Sequence, residues 1–137
     1  MDKRRSEIDT LIQTCASIRE NGSLTAHERT RLLTTFGSRF RDAETLVRRK
    51  TIKKFIFKPS GRVIWVVGGR TGKYQVIPDS NFCSCDDYYF RVIGKKKELC
   101  YHIIGQRLAH ATAKFETQTV DDEAYSKIVS QTRNPAT

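Results

Sequence analysis

The chain has 137 residues and a formal net charge of +10, which suits one small basic domain. No apolar run approaches the roughly 20 residues needed to cross a bilayer, so we expect no membrane span. The charged N-terminus lacks the apolar core of a secretion signal, so we expect an intracellular protein whose four cysteines stay reduced and serve a metal or catalysis.

The first fifty residues predict two or three helices. Apolar residues recur at helical spacing until Asn21-Gly22 ends the pattern. Thr25 and Glu28 then have the spacing of a capping box, which starts a second periodic segment that Gly37 weakens. We therefore expect an N-terminal helical region over residues 1–50.

Residues 51–77 predict three antiparallel strands separated by glycine-containing turns. The strands are expected over Thr51 to Lys58, Arg62 to Val67 and Lys73 to Ile77. A meander of this kind has one apolar face, which needs the helices as cover.

The remaining chain predicts two helices. Apolar spacing places the first from about Leu99 to Lys114, and acidic residues open a short one that starts near Val120. We expect strands and a metal-binding finger over residues 51–115, and a short helix with a disordered tail over residues 116–137.

Three of the four cysteines and one histidine fall into two tight pairs. Their pattern is Cys83-x-Cys85, fourteen residues, and Cys100-x-His102. Three thiolates and one imidazole complete the closed ligand set of structural Zn²⁺ and leave no position for a catalytic water. Ligands one residue apart require a sharp backbone bend, which the small Ser84 allows. The second pair fits the first turn of a helix.

The segments around both pairs resemble a SWIM zinc finger. They read Phe82-Cys-Ser-Cys-Asp-Asp-Tyr-Tyr-Phe90 and Leu99-Cys-Tyr-His-Ile-Ile-Gly-Gln-Arg-Leu-Ala109. Over about residues 62–110 the chain is most similar to the small SWIM subunit of Shu-type recombination mediator complexes. Tyr101 departs from the family pattern, in which many members carry a basic residue between Cys and His.

The resemblance implies an α+β fold in which N-terminal helices pack on a small antiparallel sheet, completed by a SWIM finger made of a hairpin and a helix. It carries Zn²⁺ and its four ligands over as Cys83, Cys85, Cys100 and His102. It also implies a non-enzymatic accessory factor in homologous recombination and DNA repair. Such a factor pairs with a RecA-family recombinase paralogue and contacts single-stranded or other DNA, either directly or through that partner. We expect it in the nucleus of a eukaryote or in the cytoplasm or nucleoid of an archaeon.

Charge is unevenly distributed. Residues 1–58 carry 14 Lys or Arg against 7 Asp or Glu, residues 59–115 carry 9 against 4, and residues 116–137 carry 2 against 4. A basic body suits a polyanion such as DNA. The candidate phosphate contacts, which solvated surface explains equally well, are Arg48, Arg49, Lys50, Lys95, Lys96 and Lys97. Bases could stack on three aromatic residues, namely Tyr88, Tyr89 and Phe90. Packing of these residues in a small core around the metal is the better explanation.

Gly68-Gly-Arg-Thr-Gly-Lys73 has some features of a phosphate-binding loop. Val67 stands where the first glycine is required, and Tyr74 replaces the residue that would bind magnesium. We interpret the segment as a hairpin turn and expect neither a small-molecule substrate nor an enzyme. The alternative functions are a generic DNA-binding zinc-finger protein and a protein–protein adaptor.

Overall fold

Three helices come first in the computed structural model, which describes residues 6–69, 72–85 and 99–132. They are α1 (Glu7–Asn21), α2 (Ala26–Phe36) and α3 (Ser38–Arg48). Ser6 caps α1 because its Oγ accepts from the Asp9 N–H at 3.1 Å, and Gly22 ends the helix in a left-handed conformation with φ of 80°. Gly37 was expected to weaken one helix, but it divides the segment, because with φ of 57° it ends α2 and precedes α3.

The described residues form one sheet whose strand order is β4-β3-β2-β1-β5. The strands are β1 (Ile52–Lys58), β2 (Val63–Gly68), β3 (Lys73–Ile77), β4 (Phe82–Cys83) and β5 (Glu116–Asp121). The three predicted strands are confirmed as an antiparallel meander, and β4 extends it in the same sense. Helices α4 (Tyr101–Thr112) and α5 (Tyr125–Ser130) complete the α+β fold.

Strand β5 corrects the sequence analysis, which expected only a short helix after residue 115. It pairs with β1 in parallel, so the sheet is mixed and not purely antiparallel. The strand escaped detection because it lies at the sheet edge, where every residue except Val120 is exposed and no apolar alternation is needed. The final helix begins only at Tyr125, after a 3₁₀ turn over Asp122–Ala124.

Helix α4 lies between the N-terminal helices and the sheet. It packs against α1 and α3 on one side and against β1, β2, β3 and β4 on the other, so the helices reach the sheet through α4. Gly105 permits the close crossing, because a Cβ there would lie 3.2 Å from Leu46 Cδ1. Residues of α5 cover part of the opposite sheet face, around Phe57 and Ile64.

No helix in the described part of the chain has both the length and the apolar content that a membrane span requires. Tyr88, Tyr89, Phe90 and Lys95 to Lys97 lie outside the described residues.

Candidate metal centre

The four predicted ligands meet at one point beneath the sheet edge and the start of α4. The side chains of Cys83, Cys85, Cys100 and His102 place one ligand atom each within 4.8 Å of one another. All four are buried, with between 0% and 3% of their surface exposed. Three sulfurs and one ring nitrogen at this separation can surround a single metal ion.

The first ligand pair is held by the residue between its members. The Ser84 N–H donates to the Gln75 carbonyl at 3.0 Å, and the Gln75 N–H donates to Ser84 Oγ at 2.9 Å. Strand β4 pairs Cys83 with Val76 just before this clamp. Ser84 therefore fixes the bend to β3 by hydrogen bonds, in addition to being small.

The second ligand pair starts α4, as the spacing predicted. Cys100 is the N-cap residue, with extended backbone angles of φ −90° and ψ 164°, and His102 lies in the first helical turn. Arg39 anchors this junction from α3. Its guanidinium donates to the Leu99 carbonyl at 2.8 Å and pairs with the Glu7 carboxylate at 2.5 Å.

The His102 ring is enclosed on several sides. Its centroid lies 4.4 Å from that of Tyr74 and 4.1 Å from that of Tyr101. Gly69 closes a further side, since a Cβ there would stand 2.8 Å from His102 Nε2. Both ring nitrogens are buried without a hydrogen-bond partner among the described residues. A buried polar atom left unsatisfied costs about 1–3 kcal/mol, and metal coordination would satisfy one of the two nitrogens.

The three sulfurs are too close to ionise together without a cation. Hydrogen bonds from the thiols of Cys100 and Cys83 lower the pKa of Cys85. The same contacts with Cys100 and Cys85 raise the pKa of Cys83, and burial raises the pKa of Cys100 to about 12. A divalent cation would supply the charge that allows all three to bind as thiolates.

The other candidate residues lie apart from this cluster. Arg48, Arg49 and Lys50 are exposed at the end of α3. The Cys15 thiol donates to the Arg107 carbonyl at 3.7 Å inside the core, and burial raises its pKa to about 11, which makes it a poor nucleophile. The glycine-rich segment joins β2 to β3, and a phosphate-binding loop would join a strand to a helix.

Sequence reasoning missed the residues that support the ligands, namely Arg39, Gly69, Tyr74 and Gln75. Arg39 is 60 positions from Leu99, and nothing in the local pattern indicates that contact. Gly69 offered a weak signal, because a hairpin turn does not require two successive glycines.

The α+β fold and the convergence of Cys-x-Cys and Cys-x-His on one point are the arrangement expected of a SWIM finger, and the similarity to curated SWIM proteins confirms the resemblance drawn from the sequence. The chain is a relative of the proteins named zinc finger SWIM domain-containing protein 7. It is 28% identical to the Homo sapiens protein over 88% of this chain and 87% of that one. It is 26% identical to the Mus musculus protein over 90% of this chain and 82% of that one.

A third relative is the Dictyostelium discoideum protein named zinc finger SWIM domain-containing protein 7 homolog. Identity reaches 35% over 62% of this chain, and the aligned part spans about half of that relative, 56% of its length. No protein-family profile matches the chain. No solved structure matches it either.

Proposed function

We propose that the cluster binds one Zn²⁺ and that the ion has a structural role. The donor set supports this proposal, because three thiolates and one imidazole suit zinc better than they suit magnesium or calcium. All four ligands are buried, and no disulfide joins the described cysteines. The ion would tie the end of β4 to the start of α4.

The protein is then a non-enzymatic accessory factor in homologous recombination and DNA repair, partnered by a RecA-family recombinase paralogue. The observation that carries this proposal is the Cys₃His cluster in a relative of zinc finger SWIM domain-containing protein 7. Four protein ligands fill a tetrahedral site and leave no position for a reacting water. Any ATP-dependent step would be supplied by the partner.

DNA contact would be electrostatic and independent of sequence. The net charge of +10 supports it. Charge reversal at Lys95, Lys96 and Lys97 should make the slope of log affinity against log salt concentration shallower by up to about three units if each lysine contacts a phosphate. An unchanged slope would assign those lysines to solvated surface.

Co-expression with RecA-family paralogues of the host, followed by size-exclusion chromatography, tests the partnership. We expect a stable heteromer that retains zinc and that dissociates when the ion is stripped. A zinc-loaded chain that captures none of these paralogues, yet binds DNA, would replace the proposal with a generic DNA-binding zinc-finger protein. If it binds neither, the adaptor function becomes the better explanation.

A further inference from the structure

A groove of about 930 Å³ opens where α3 and α4 end and β5 begins. We call it the helix-end groove. It lies at the opposite end of α4 from His102, about 15 Å away at 1.5 Å per helical residue. The groove is therefore separate from the metal centre, and neither the metal ligands nor the residues that support them line it.

The floor of the helix-end groove is apolar. Leu108 is buried with 2% of its surface exposed, and three half-buried side chains surround it, namely Leu24, Val47 and Phe115. The Phe115 ring already packs edge-on against Trp65, with centroids 4.9 Å apart. A volume of this size accommodates one or two large apolar side chains of a ligand.

The rim is basic. Arg48, Lys50 and Lys114 line it, and none of the three has an ion pair among the described residues. Arg29 also lines the groove, but it forms an ion pair with Glu44. Three cations that no described carboxylate neutralises thus surround an apolar floor.

We propose that the helix-end groove binds an acidic segment of a partner protein, with an apolar side chain on the floor and carboxylates against Arg48, Lys50 and Lys114. Charge complementarity selects an acidic occupant, and the apolar floor selects a protein segment. A single strand of nucleic acid would need free ring faces for stacking, and the one aromatic ring among the described lining residues, Phe115, is already packed against Trp65. The four cations of the lining outnumber its two carboxylates, Glu44 and Glu116, so the lining keeps a positive net charge. The proposal depends neither on the metal nor on recombination.

The test is fluorescence anisotropy of the full zinc-loaded chain with a labelled synthetic peptide of about twelve residues. The peptide has leucine and phenylalanine at its centre and glutamates on both sides. Two further probes are the same peptide with serine in place of the apolar residues and a single-stranded oligonucleotide of similar length. The variants are Val47→Asp in the floor, the rim pair Lys50→Asn with Lys114→Gln, and the matched control Lys127→Gln on α5.

Asparagine suits position 50 because Lys50 has a left-handed φ of 58°. We expect the acidic apolar peptide to bind, and the floor variant and the rim pair each to weaken it about tenfold or more. The serine peptide should bind at least about tenfold more weakly, and Lys127→Gln should bind like the parent. Unchanged zinc content and melting temperature show that each variant is folded.

Three outcomes would overturn the proposal. The first is no binding of the peptide by a folded, zinc-loaded chain. The second is preferred binding of the oligonucleotide, with loss in the rim pair, which would make the groove a nucleic-acid site. The third is a homodimer that Val47→Asp dissociates, which would identify a second copy of this chain as the occupant. None of these outcomes bears on the recombinase heteromer, whose test is separate.

Discussion

Gly69→Ala should weaken metal binding although Gly69 is not a ligand. The added Cβ would stand 2.7 Å from Tyr74 Cε2 and 2.8 Å from His102 Nε2, whereas ordinary contact begins at 3.4 Å. The imidazole must therefore retreat by at least 0.6 Å, which is 3.4 Å less 2.8 Å. It has little room to do so, because the ring centroids of Tyr74 and Tyr101 lie only 4.4 Å and 4.1 Å from its own. Metal–ligand distances tolerate only about 0.2 Å.

We expect the zinc affinity of Gly69→Ala to fall about 10–100-fold, which corresponds to roughly 1.4–2.7 kcal/mol. Competition with a chromophoric zinc chelator measures this change. Gly68→Ala is the matched control, because its added Cβ would meet Thr51 at 3.3 Å and would not touch the ligands. Equal affinities of Gly69→Ala and the parent, or equal losses in both variants, would refute the reasoning.

Three further predictions follow from the surroundings of the site. Ser84→Ala leaves the Gln75 N–H without its acceptor and should cost about 1–3 kcal/mol in urea unfolding of the zinc-loaded chain; no loss would contradict the clamp. Arg39→Met removes the bond to the Leu99 carbonyl and the Glu7 ion pair, and we expect a loss of about 1.5–3 kcal/mol by the same assay, with Lys127→Met unaffected. Burial and the nearby Arg19 and Lys54 charges lower the pKa of His110, so protonation favours the unfolded chain and stability falls as pH drops below 6.5. Thermal melts of His110→Gln should show a smaller fall over that range, and identical profiles would exclude His110 as its source.

Local chemistry made much of the fold predictable. The end of α1 at Gly22 and the start of α2 at a capping box were predictable because each signal acts within one helical turn. The β-branched and aromatic residues of β1 and β2 and the turn residues that follow them define the meander without reference to the rest of the chain. The ligand pairs were equally predictable from the sequence, since cysteine and histidine at one-residue spacing are uncommon and the members of each pair are close in the chain.

The remaining features depend on contacts between distant segments. Strand β5 is polar and exposed, and only its pairing with β1 makes it a strand. Helix α4 is central because it packs against helices on one side and against the sheet on the other. Apolar periodicity predicts the helix but does not show which neighbouring element each side contacts. Gly69, Tyr74 and Arg39 support the metal centre through space, across separations in sequence that no pattern encodes.

X-ray absorption at the zinc edge of the purified chain tests the central claim most directly. The account predicts one ion with three sulfur neighbours at about 2.3 Å and one nitrogen neighbour at about 2.0–2.1 Å, and no bound water. Oxygen or water in the coordination shell, fewer than three sulfurs, or a folded chain that retains no zinc would contradict it.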